Sequence, residues 1–324
     1  MRITMQHGNG GRETTQIIND IFLKHYGNKI LCKMEDAAVF NGRSSMAMTT
    51  DCFVVKPLFF KGGNIGSLCV CGTVNDLAMV GAKPKYLTIG FIISQNIEFE
   101  TLEEICKSIG EMANEANVKI VAGDTKVIDG DGEIYINTSG VGFIPKQISI
   151  YNAKEGDVVI VSGNLGDHHA AILSARMGIE NEIISDVAPL NNMVEMLLKE
   201  NVEIHAMRDI TRGGLGGILN EISVASKCEI EINEESLPVS DSVRGLCNTL
   251  GLDPLYMGNE GKLAMFVPSY EAKRALEIMR ACKYGENARV VGVVNEGSGV
   301  VMKTKIGGKR IVSQMSGDGL PRIC

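Results

Sequence analysis

The chain ends on a cysteine, Cys324, led in by Gly317-Asp318-Gly319-Leu320-Pro321-Arg322-Ile323. A terminal thiol on a glycine-containing lead without apolar periodicity is accessible, nucleophilic as its thiolate, and able to travel between two sites. A frayed end without a role is the alternative, because nine cysteines are scattered over 324 residues. Arg322 could dock such an arm against an acid or stay solvated. The other residues equipped for chemistry are acids beside apolar runs: Glu35-Asp36 before Ala37-Ala38-Val39, Asp51 after Thr49-Thr50, Asp76 after Asn75, and Asp124 with Lys126 close behind. Asp76 interrupts an otherwise apolar segment. An unpaired buried carboxylate is costly, so it must find a donor or a cation, and a metal is the sharper reading.

Two glycine clusters could bring backbone N–H groups against an anion. Gly8-Asn9-Gly10-Gly11 is either a phosphate-covering loop or an ordinary N-terminal one. Arg208-Asp209-Ile210-Thr211-Arg212-Gly213-Gly214-Leu215-Gly216-Gly217 combines charge of both signs with glycines that let a ligand approach the backbone. Neither cluster has the spacing of a dinucleotide fingerprint or a P-loop, so a nucleotide site would be of another type. Met257-Gly258-Asn259-Glu260-Gly261-Lys262 adds a further acid and lysine in a turn.

The elements that must hold these residues follow from periodicity. A helix is expected over 64–81, strands over 86–93 and 119–122, and a helix over 101–117 opened by a Thr101-Leu102-Glu103-Glu104 capping box. Asp51 and Asp124 then stand at strand ends. After a strand over 133–143 the pattern restarts with a strand over 157–162 and a helix opening at His168-His169. Adjacent helical residues diverge by about 100°, so these histidines suit a capping role better than metal binding. Helices over 190–200, 218–226 and 270–282, strands over 263–268 and 289–294, and a hairpin near Gly307-Gly308 complete the body. Strands and helices alternate without a strict βαβ rhythm, which predicts two α+β domains. The expected division is 1–146, 147–312 and a flexible tail over 313–324.

With 44% hydrophobic residues the chain can fill two cores. No 18-residue apolar run or signal-peptide pattern appears, which places the expected compartment in the cytoplasm. A net charge of -7 without a long basic cluster leaves nothing for a nucleic acid or an anionic membrane to hold. Scattered cysteines without a CxxC pair indicate reduced, mostly buried thiols; Cys69 and Cys71, two apart in a helix, face different ways and poorly suit one metal.

In order along the chain, HGNGG (7–11), EDAAVF (35–40), TTDCFVVKPLFFKGGNIGSL (49–68), VNDLAMVGAKP (74–84), AGDTK (122–126), GDH (166–168), RDITRGGLGG (208–217), GNEGK (258–262) and the terminal PRIC resemble one family. It is the superfamily of ATP-dependent enzymes that includes aminoimidazole ribonucleotide synthetase and selenophosphate synthetase, and within it the hydrogenase maturation branch. Glu35 stands where an aspartate is more usual and His169 where glycine is common. The resemblance implies a two-domain α+β synthetase fold, a homodimer joined through the N-terminal domains, and ATP with Mg²⁺ as cofactors. It places the metal on Asp36, Asp76 and Asp209, and the nucleotide against Gly10, Gly11, Asp51, Asn75, Asp124, Gly213 and Gly214. Dispersed aspartates without His or Cys suit a hard ion that takes oxygen ligands. The implied reaction is ATP-dependent dehydration of a thiocarboxamide on Cys324 to a thiocyanate, which supplies cyanide ligands for hydrogenase iron. HypF would be the carbamoyl donor and a HypC–HypD iron scaffold the acceptor. Lys126 is then the candidate for stabilising charge and Glu260 the candidate base; a salt bridge to Asp124 and a solvated turn acid are their respective alternatives. A selenophosphate synthetase would carry a reactive cysteine in the first glycine loop, where this chain has none.

Overall fold

A computed structural model describes residues 11, 12, 15, 19, 31–35, 38–40, 45–130 and 132–315. Gly10, Asp36, Arg322 and Cys324 lie outside the described residues. Two mixed sheets, each flanked by helices, give the expected α+β class. The first joins β1 (Ala38–Phe40), β2 (Met46–Phe53), β5 (Lys83–Ser94), β6 (Lys119–Ile128) and β7 (Ile134–Phe143) in the order β1-β2-β7-β5-β6. Its pairs are antiparallel except β5 with β6. A short hairpin, β3 (Phe59–Phe60) with β4 (Gly63–Asn64), precedes helix α1 (Ile65–Met79). The second sheet has β8 (Asp157–Val161), β9 (Ala206–Asp209), β10 (Glu229–Asn233), β11 (Leu263–Pro268), β12 (Arg289–Asn295), β13 (Gly299–Lys303) and β14 (Lys309–Ile311). Its order is β14-β13-β10-β12-β8-β11-β9.

Helix α1 is the hub. Asn64 caps it, accepting from the N–H groups of Gly66 and Ser67, and the Ser67 side chain returns the bond to the Asn64 backbone. Every residue of the helix is buried except Asp76, so its sequence is apolar on all faces rather than on one stripe. Gly72 lets β2 lie close: a Cβ there would stand 2.8 Å from the Phe53 ring. Its far end, Ala78 and Met79, enters a core with Leu190, Met193, Met207, Leu263 and Met265 of the second half. One helix thus serves both halves, and its acid sits at their junction.

Several boundaries differ from expectation. Strand β6 runs on to Ile128 because parallel pairing with β5 continues across Asp124, opposite Gly90, and Lys126, opposite Ile92. Asp124 and Lys126 are therefore mid-strand, and at i and i+2 they share one face. Asp51 likewise lies inside β2, opposite Thr138. Helix α2 (Phe99–Glu115) starts before Thr101, with Glu98 at its N-cap and no side-chain cap bond; Glu100 in the first turn suits the helix dipole without the capping box. Helix α3 (Asp167–Met177) is capped by Gly166 in a left-handed conformation, so His168 and His169 cap nothing. Both are buried, and His168 Nδ1 lies 2.8 Å from Ser185 Oγ. Beyond α4 (Asn191–Lys199), helix α5 (Gly214–Ser226) begins in the glycine run itself, four residues before Ile218. Helices α6 (Asp241–Leu250) and α7 (Ala272–Ala281) complete the second layer. The eight described cysteines are unpaired; Cys69, Cys71, Cys228 and Cys247 are buried, but Cys32, Cys52 and Cys106 are exposed. Among the described residues no helix is long and apolar enough to cross a membrane.

Candidate active site

Acids from distant stretches gather where the halves join: Asp51, Asp209 and Glu260 feel one another's charge, and Asp76 reaches β2 through Thr49, two residues before Asp51. Asp51 comes from β2, Asp76 from α1, Asp209 from the end of β9, and Glu260 from the turn that feeds β11. Asp76 Oδ2 accepts a 2.9 Å hydrogen bond from Thr49 Oγ1, which ties α1 to β2. Burial raises the pKa of Asp51, against the opposing charge of Arg212 and a bond from Cys52 N–H. Asp209 is pushed up to about 6, first by burial and then by Asp51, against the attraction of Arg208. Glu260 is raised well above the usual carboxylate range by burial and by the charges of Asp51 and Asp209, with Arg212 opposing. Mutual perturbation of this kind marks a site with surplus negative charge.

The turn carrying Glu260 is held from both sides. Its N–H donates to Asp186 Oδ1 at 3.0 Å, and its carbonyl accepts from Asn75 Nδ2 at 3.3 Å. Asp186 is paired with Lys262 at 3.3 Å, and both side chains are nearly inaccessible. Asn75 also donates to Ala188 O and accepts from Leu190 N, so its whole amide is engaged with the second half of the chain. Its direct partners are backbone groups rather than an open face, and through them it places Glu260. Of Asp186 and Lys262, only Lys262 was picked out by sequence. Lys262 stands in the GNEGK stretch, whereas Asp186 lies in an extended crossing segment with no local signature.

Gly213 and Gly214 form the turn that starts α5, both at positive φ (+84° and +60°). Their reasons for being glycine differ. A Cβ on Gly214 would stand 2.5 Å from the backbone of Tyr256, while one on Gly213 would meet only Gly217 Cα, at 3.5 Å. Gly213 therefore leaves the N-terminus of α5 open to an anion. Gly11 is buried, and its carbonyl accepts from Thr15 N–H at 3.1 Å. Glu35 accepts from Ser149 Oγ, so it ties the N-terminal segment to the start of the second half.

Lys126 and Asp124 are not brought to this cluster within one chain. They pair with each other at 3.0 Å on the outer edge of the first sheet, with side chains 69% and 72% exposed. Lys126 holds the Asp124 carboxyl below its ordinary range.

An oxygen-only donor set with surplus charge fits a hard divalent cation. Among the described residues no three of His, Cys, Asp or Glu form a ready-made cage. That pattern suits an ion completed by phosphate oxygens and water rather than by protein alone.

Two domain families match in register with the two sheets: AIR synthase related protein, N-terminal domain, over residues 34–144, and its C-terminal domain over residues 154–305. The chain belongs to the AIR synthase related family. Within it the similarity is to HypE proteins. The carbamoyl dehydratase HypE of Bradyrhizobium diazoefficiens is 45% identical, over 99% of this chain and 96% of that protein. A crystal structure of a HypE–HypF complex superposes with a TM-score of 0.89 at 47% identity, covering 92% of this chain and 99% of that one. A crystal structure of HypE in complex with ATP matches with a TM-score of 0.84 at 42% identity over the full length of both chains.

Proposed function

We propose that the chain is a carbamoyl dehydratase of hydrogenase maturation, using ATP to convert a thiocarboxamide on Cys324 into a thiocyanate. The observation that carries this reading is the convergence of Asp51, Asp76, Asp209 and Glu260 beside the open glycine turn of α5, in a chain similar to HypE along its whole length. In the balanced step the amide oxygen takes the γ-phosphoryl group and leaves as phosphate. The nitrogen loses both protons as the C≡N bond forms, and ADP remains.

The chain's own residues supply most of the requirements. The N–H groups and dipole of α5, with Arg212, favour the phosphates. Asp36, Asp76 and Asp209 would hold Mg²⁺, which when bound neutralises phosphate charge. Glu260, whose proton affinity is raised, suits a base that accepts a proton from nitrogen. Gly10, Gly11 and Asp51 complete the nucleotide surroundings in this reading, while Asn75, its amide spent on Ala188, Leu190 and Glu260, serves the site by holding the Glu260 turn. Lys126 and Asp124 fit it through a second copy of the chain. Strand β6 is an edge strand whose ten residues are all exposed, including Val121 and Val127, and such an edge invites pairing. The homodimer, a cytoplasmic location, HypF as donor and a HypC–HypD acceptor belong to the same proposal, as does the division at residues 146 and 312.

The test is ATP hydrolysis, because a passive thiol carrier has no use for the acid cluster. Turnover is expected to need Mg²⁺ and to fall by about 10² or more in Asp76→Asn, with the fold intact by circular dichroism. Full ATPase activity in that variant would remove Asp76 from the site, and absence of hydrolysis in the unmutated protein would favour the carrier.

A further inference from the structure

The route of the chain after the last strand carries information that the acid cluster does not use. β14 closes the second sheet at the edge opposite β9, the strand that ends in Asp209. Six strand spacings of about 4.8 Å put the two edges roughly 29 Å apart. From Ile311 to Cys324 there are thirteen residues. A free glycine-containing chain of that length has a root-mean-square span of only about 20 Å. Left to itself at the β14 edge, the terminal thiol would seldom reach the cluster.

The described residues after Ile311 are not left to themselves. Val312 N–H donates to Val300 O at 2.9 Å, and its carbonyl accepts from Asn220 Nδ2 at 3.0 Å. The next carbonyl, of Ser313, accepts from the Tyr256 hydroxyl at 2.9 Å. Met315 O then accepts from Arg12 N–H at 3.3 Å, one residue beyond Gly11 of the first glycine cluster. Asn220 lies on α5 and is steadied by a second bond to Gly216 O at 2.8 Å. Tyr256 is seated on the first turn of the same helix: a Cβ on Gly216 would stand 2.7 Å from its ring, and one on Gly214 2.5 Å from its backbone. It is also four residues before Glu260.

We infer that Asn220 and Tyr256 form a clip that leads the C-terminal arm across α5 and roots it beside the nucleotide end of that helix. Both are positioning residues, and the inference rests on the reading of Cys324 as carrier of the reacting group. With the clip closed, nine residues separate Met315 from the thiol. A chain of that many residues spans about 30 Å when fully extended, and only four residues of the turn separate Tyr256 from Glu260. Without the clip only the two backbone bonds to Val300 and Arg12 hold residues 312–315, and the more loosely rooted arm lowers the effective concentration of the thiol at the site by about tenfold.

The experiment compares tethered and untethered substrate in full-length protein. Tyr256→Phe keeps the ring on Gly216 and removes the hydroxyl alone; Tyr256→Phe with Asn220→Ala removes both anchors. Carbamoylated protein is given saturating ATP, and water loss from the C-terminal peptide is followed by mass spectrometry. Conversion should slow about threefold in the single variant and about tenfold in the double one, with the ATP dissociation constant unchanged. In a Cys324→Ala background, a synthetic S-carbamoyl peptide of residues 317–324 supplied in trans should convert equally fast with and without the clip. An unchanged tethered rate in the double variant overturns the inference, and so does a parallel loss in trans, which would put the two residues in the site rather than on the arm. Absence of water loss in the unmutated protein overturns the dehydratase reading itself, and the clip with it.

Discussion

Replacing Asp209 by Asn should stabilise the protein while abolishing its ATP chemistry. Asp209 is 5% exposed and carries a carboxyl raised from 3.8 to about 6. The folded state therefore binds its proton more tightly than the unfolded state does. Stability is fully present below about pH 4 and falls as pH rises through the window up to about 6, because the folded state is the one that resists ionisation there. Raising the carboxyl from 3.8 to about 6 corresponds to about 3 kcal/mol at neutral pH. Asn keeps the shape and cannot ionise, so it escapes this cost. Arg208 is not stranded by the change, since it also pairs with Glu221 at 3.2 Å. At about 2 °C per kcal/mol for a chain of this size, Asp209→Asn should melt roughly 5 °C higher than the parent at pH 7.5. At pH 5 the advantage should shrink to about half. Thermal melts at the two pH values, without nucleotide, test this directly. A variant that melts lower at pH 7.5, or a gap that ignores pH, would refute the claim that burial and Asp51 load this carboxylate.

Two further substitutions separate chemistry from scaffold. Glu260→Gln should retain ATP binding but accumulate unconverted thiocarboxamide, with conversion slowed by about 10² to 10⁴, read by mass spectrometry of the tail; a rate equal to the parent would leave Glu260 as a turn residue. Lys262→Met leaves Asp186 as a buried charge without its 3.3 Å partner, so unfolding free energy from urea titration should fall by about 3 to 5 kcal/mol. A loss below 1 kcal/mol, within the range of exposed pairs, would mean that the pair does not anchor the Glu260 turn.

The hub helix was legible because its composition is extreme: an apolar stretch broken by Asn75 and Asp76 has to be buried, and its acid has to be answered. The glycine turn at Gly213 was legible for the same local reason, although α5 starts inside it and not after it. What was hidden depends on partners distant in sequence. Asp124 reads as a strand-end acid because Gly123 interrupts the apolar run, yet parallel pairing with β5 carries the strand through both. His168 and His169 read as caps because they open a helix, yet Gly166 takes that position and their rings turn inward. Asp186 has no local pattern and gains its meaning from Lys262 and the Glu260 N–H, 76 and 74 residues away respectively. The clip of Asn220 and Tyr256 on residues 312 and 313 is equally non-local.

The central claim concerns the terminal thiol, and intact mass tests it most directly. Protein carbamoylated by a carbamoyl-transfer partner is weighed before and after addition of ATP and Mg²⁺, and its C-terminal peptide is isolated. Dehydration at Cys324 predicts the loss of one water from that peptide, dependent on ATP and absent in Cys324→Ala. Water loss that persists in Cys324→Ala, or that maps to another of the eight remaining cysteines, would contradict it.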